Sequence, residues 1–146
     1  MDNMVDNASL FDQAVEPETV PEGVYTLRIE DVPELFTNDT SGNQSIMLNL
    51  VIEGHDNAWP IRHFLPFLSD EDIATFGSAD RKSKEWKSVN FKITLLKRFF
   101  KCFNMEEGLR LPSRWTEWPG HQGGASVGVG TMKKSDTKVN QVEKFH

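Results

Sequence analysis

The chain has 146 residues, a net charge of −6 and one cysteine, with 38% of its residues hydrophobic. That suffices for one domain with its own core, and it excludes a disulfide scaffold or a multi-cysteine zinc cluster. No apolar run approaches the roughly eighteen residues of a membrane span, and the acidic opening Met1–Asp6 lacks a secretory start, so a soluble chain in a reducing cytoplasm is expected.

Residues 1–22 read as an acidic, flexible arm in which Pro17 and Pro21 interrupt regular structure and only Leu10, Phe11 and Val15 offer apolar surface. A domain over residues 23–146 follows. Val24–Ile29 alternates, with Tyr25, Leu27 and Ile29 on one face and Thr26 and Arg28 on the other. After the turn cluster 38–43, Ile46, Leu48, Leu50 and Ile52 form the clearest strand face. Residues 53–57 turn the chain into a third strand, Trp59 to Phe67, which Pro60 and Pro66 confine to an edge or a short central piece. A polar connection, 69–84, offers a helix start at Ser69–Asp72. The period then changes: Val89, Ile93, Leu96, Phe100 and Phe103 share one helical face, opposite Lys97, Arg98 and Lys101. A loop, 106–122, carries Trp115 and Trp118. A fourth strand, 125–130, sets Ala125, Val127 and Val129 inward, and a turn at 133–136 leads to the last strand, Val139 to Phe145.

The fold class is mainly β. Three strands, one amphipathic helix and two strands is the order of the OB-fold, a five-stranded Greek-key barrel. An α+β sandwich with the helix laid across the sheet satisfies the same order.

No catalytic constellation emerges, so the chain is expected to act without enzymatic activity or cofactor. Cys102 lies on the apolar side of the helix, where a core thiol is the ordinary outcome. Gly120–Gly124 is glycine-rich but leads into a strand without a following lysine, which makes a poor phosphate cradle. His55, His63, His121 and His146 lack metal-ligand spacing. Asp70, Glu71 and Asp72 are the only candidates for a Mg²⁺-dependent nuclease, and a solvated helix cap explains them as well.

Charge is more informative. Residues 1–80 hold 16 acidic side chains against Arg28 and Arg62, a balance of −14, whereas residues 81–146 balance at +8. Eight cations between Arg81 and Lys101 face only Glu85. A basic track beside aromatic rings suits single-stranded nucleic acid, since phosphates release counterions and bases stack without a sequence code. The candidate residues are Lys82, Lys84, Trp86, Lys87, Lys97, Arg98 and Lys101 from this segment. Arg28, Trp59, Arg62 and Phe64 come from the first and third strands, and Lys133 and Lys134 from the last hairpin. In an OB-fold the flanking loops would be 36–44 and 131–138.

Pro21–Ile29, Met47–Gly54, Leu95–Lys101 and Val139–Phe145 together resemble a family of small phage-encoded proteins. That family is known mainly as a domain of unknown function and is described as OB-fold single-stranded-DNA-binding proteins of phage replication or recombination modules. The resemblance runs from about residue 20 onward. It implies single-stranded DNA as ligand, a host-cell cytoplasmic location, and a phage or host replication or recombination protein as a further partner. The loop at 106–122 is longer than that family's usual one. A homo-oligomer stays open. So does a protein-interaction module using a barrel edge, the acidic arm or the Trp115/Trp118 loop.

Overall fold

A computed structural model describes residues 7–132 and 137–146. The turn residues Lys133 and Lys134 of the expected site lie outside them. The described elements are α1 (Asn7–Gln13), β1 (Gly23–Ile29), β2 (Glu34–Thr37), β3 (Gln44–Ile52), β4 (Ile61–Pro66), α2 (Asp70–Ser78), α3 (Lys84–Cys102), β5 (Gln122–Thr131) and β6 (Lys138–Phe145). Two short 3₁₀ turns, Glu107–Arg110 and Pro112–Glu117, occupy the loop after α3.

The six strands form one antiparallel sheet. β3 organises it. Leu50 pairs with Ile29 on one side and Ile61 on the other, and Ile46 pairs with Leu35 and Leu65. Hence β1 and β2 follow each other along one edge of β3, and β4 runs along the opposite edge. β1 also pairs with β5, and β5 with β6. No ladder joins β4 to β6 among the described residues, although the His63 and Phe145 rings meet edge to face at 5.1 Å.

The expected count of five strands missed β2, whose four residues are all exposed. Backbone pairing with β3 holds that strand and none of its side chains enters the core, so no hydrophobic alternation betrays it. Asn38 closes the β2–β3 hairpin by accepting bonds from the Thr40 and Ser41 amides through its side-chain oxygen. Trp59 precedes β4 instead of belonging to it. α2 forms where a helix start was read, with a capping box between Ser69 and Asp72. α3 begins five residues before the periodic stretch, because the Ser83 hydroxyl accepts the Trp86 amide at 3.2 Å and starts the helix there.

The core lies between the inner face of the sheet and α3. Leu27, Ile29, Leu48, Leu50 and Ile52 meet Leu96, Phe99, Phe100 and Phe103. α3 and β5 approach closely at Gly123, where a Cβ would come within 3 Å of Cys102 and Phe103. Val129, expected inward, lies past the end of the core and is 41% exposed. The expected arm is tied down at its root. Val20 is buried, and its amide and carbonyl both bond the Asn140 side chain, at 2.8 and 2.9 Å. This bidentate bond satisfies the buried amide of Asn140, which would otherwise be expensive to enclose.

Candidate nucleic-acid interface

α3 divides its side chains sharply. Val89, Leu96, Phe99 and Phe100 are buried against the sheet. Lys84, Lys87, Phe91 and Arg98, spaced by three, four and seven residues, share an exposed face. Phe91 is 53% exposed in the middle of that stripe. Lys82 continues the charge ahead of the helix. Among the described residues no ion pair neutralises Lys82, Lys84, Lys87, Lys97, Arg98 or Lys101; the pair on this helix is Lys92 with Asp72, at 3.1 Å. An unneutralised cation row beside an open ring has the chemistry to hold phosphates and stack a base.

Trp86 is not that ring. Phe76 of α2 stacks on it at 5.1 Å with the planes 14° apart, its indole N–H donates to the Phe76 carbonyl, and the Arg81 guanidinium lies over it. The indole fastens α2 to α3 and has no free stacking role. Lys97 and Lys101 also leave the expected track. They stand on the rim of an apolar groove between α2 and α3.

The remaining candidates sit on the outer face of the sheet. Residues paired across an antiparallel ladder share a face, so Arg62 lies beside Asn49, Phe64 beside Met47 and Phe36 beside Ser45. Phe36 and Phe64 are 40% and 46% exposed, and their rings meet at 5.4 Å across β3. Charge on this face is largely balanced. Arg28 is bound by Glu53 at 2.8 Å, Asp31 bonds Asn49, Glu34 lies beside Met47, and Arg62 and, through its pairing with Ser126, Lys144 are exposed cations of this face without an ion pair among the described residues. Trp59 is 52% exposed at the β3–β4 turn, apart from both groups. No hydrogen bond, ion pair or ring contact among the described residues links the outer face of the sheet to the stripe on α3.

The tryptophans of the long loop are structural. Trp115 and Trp118 are 6% and 0% exposed, and their N–H groups donate to the Arg110 and Leu109 carbonyls. An interaction role for them as exposed anchors is therefore overturned, because the loop folds back to cover the end of the core. Of the groups considered for chemistry, Asp72 is engaged in its cap. Burial pushes its carboxyl up, but the Ser69 amide and Lys92 outweigh that and hold it below the ordinary range. The Cys102 thiol is pushed up by burial and donates to the Gly124 carbonyl, which suits packing and not nucleophilic attack. Burial lowers the His63 imidazole.

Sequence reasoning missed two rings. Phe91 could have been found by projecting the helix from Lys84, which places it between cations. Phe36 carried no signal, since β2 has no alternation. Comparison with protein-family models and with curated proteins finds no match for this chain.

Proposed function

We propose that the protein binds single-stranded nucleic acid without sequence preference, along the exposed stripe of α3. The observation that carries this reading is the row Lys84, Lys87 and Arg98, free of ion pairs among the described residues, with Phe91 open between them. Charge decides between the two ring-bearing faces. Each neutralised phosphate of a single strand contributes about 0.7 to the slope of log affinity against log salt. Lys82, Lys84, Lys87 and Arg98 together give a slope of about −3, whereas Arg62 and Lys144 on the sheet give about −1.4. Phe91 adds a stack worth ~1–3 kcal/mol.

The strand order supports an OB-like reading of the sheet. β1, β3 and β4 form the meander, α3 follows, and β5–β6 returns beside β1 with β6 brought near β4. β2 is then an extension of the first strand. On the resemblance drawn from the sequence, the ligand is DNA exposed in phage replication or recombination, in the host cytoplasm.

Fluorescence titration with oligo-dT at several salt concentrations tests the assignment. Lys87→Glu with Arg98→Glu is expected to abolish binding with the fold intact. Salt-independent affinity, or affinity untouched by that double change, would overturn it. A protein-interaction role draws support from a different surface, the groove between α2 and α3.

A further inference from the structure

α2, α3 and the turn Glu107–Arg110 enclose an open groove of about 670 Å³. Its floor is apolar, formed by Val89, Leu96 and Phe100. Its α2 wall is unfinished. No residue of α2 is buried, and Ile73 and Phe76 remain 47% and 38% exposed. The rim is cationic, with Lys97, Lys101 and Arg110 against Glu107. Lys97 and Lys101 have no ion-pair partner among the described residues. Such a groove fits an acidic amphipathic segment, taking its apolar side chains and pairing its carboxylates at the rim.

The chain itself contains that segment. No lysine or arginine precedes Arg28, while Asp2, Asp6, Asp12, Glu16 and Glu18 do. On α1, Leu10 and Phe11 are 48% and 77% exposed. The arm is anchored at its root: the Asn57 side chain donates to the Glu16 carbonyl at 2.9 Å, the Glu18 amide donates to the Asn57 carbonyl, and Val20 is held by Asn140. The anchors of Glu16 and Glu18 lie just ahead of β4, and the groove begins beyond its end, at Leu68. Six strand residues span ~20 Å. From Glu16 back to Gln13 the chain reaches at most ~11 Å, and Leu10 is only ~5 Å further along the helix. With α1 folded, Leu10 and Phe11 fall short of the groove of their own chain.

We propose that the groove receives α1 of a second copy, Leu10 and Phe11 entering the apolar floor while the arm's carboxylates meet Lys97, Lys101 and Arg110. Exchange of arms then joins copies through a face of α3 next to, and separate from, the stripe assigned to nucleic acid.

Sedimentation velocity of the full chain without nucleic acid, across micromolar to near-millimolar concentrations, tests this. Self-association that rises with concentration is expected. Phe11→Ala should weaken it about tenfold, as loss of a buried aromatic anchor does. Lys97→Glu with Lys101→Glu should abolish it, and adding Asp6→Lys with Asp12→Lys to that variant should restore it. These positions are outside the core, and circular dichroism of each variant checks the fold. A single monomeric species at every concentration overturns the proposal, as does association indifferent to Phe11 or unrestored by the charge exchange. Lys87→Glu with Arg98→Glu is expected to leave association intact while removing oligo-dT binding, so failure of either reading is seen separately.

Discussion

The outer face of the sheet and the stripe on α3 both carry exposed aromatic rings, and they differ in charge. The outer face of the sheet has the better platform, Phe36 and Phe64 with rings 5.4 Å apart, yet its Arg28 is held by Glu53 and its few other cations share the face with Asp31 and Glu34. The stripe on α3 has one open ring, Phe91, and cations with no ion-pair partner among the described residues. Stacking surface is common on proteins; uncompensated positive charge on one helical face is what a polyanion requires. The sheet face therefore looks inward electrostatically, and the helix outward. Trp86 makes the same point from the other side, since a ring embedded among cations in the sequence can be occupied by protein in the fold.

The largest perturbation removes the scaffold behind both surfaces. Trp118→Ala, deleting a fully buried indole packed on Phe99 and Phe100, should cost ~3–5 kcal/mol, read by urea denaturation. Next, Phe91→Ala should weaken oligo-dT binding by ~1–3 kcal/mol, whereas Phe36→Ala with Phe64→Ala should change it little. The opposite ranking in a fluorescence titration would transfer the site to the sheet. A smaller effect separates the charges. Lys87→Ala should make the salt slope shallower by about 0.7, and Arg62→Ala should leave it unchanged. Smallest is the effect of pH. Burial holds His63, on the inner side of β4 between Arg62 and Phe64, below its ordinary value of 6.5. Below that pH the unfolded chain binds more protons than the folded one. Stability is therefore complete above about 6.5 and declines as the pH falls toward the lower native value. His63→Leu should flatten the acid limb of the melting-temperature profile without altering the salt slope of binding.

Legibility in the sequence followed burial. Alternation in β3 and the helical period of α3 were readable because each buries one continuous face, Ile46 to Ile52 and Val89 to Phe103. β2 was invisible because it buries nothing. α2 could be read only at its cap, Ser69–Asp72, since it too buries no residue. The loop tryptophans looked like anchors because an indole in a polar loop has the same letters whether its loop projects or folds back. Of the candidate site, the cations Lys82, Lys84, Lys87 and Arg98 were named from the density of positive charge between Arg81 and Lys101, but Phe91 beside them was not.

From its amino acids alone the chain determines a mainly β fold with one strongly basic amphipathic helix, and a separation of acid from base along its length. Those follow from local periodicity and composition, which are properties of neighbouring residues. Only the tertiary structure decided which rings stay open and which cations stay unpaired. Arg28 meets Glu53 across 25 positions, Lys92 meets Asp72 across 20, and Trp86 meets Phe76 across the α2–α3 junction. Whether a charge or a ring is available to a ligand depends on such distant partners, and no local pattern encodes them.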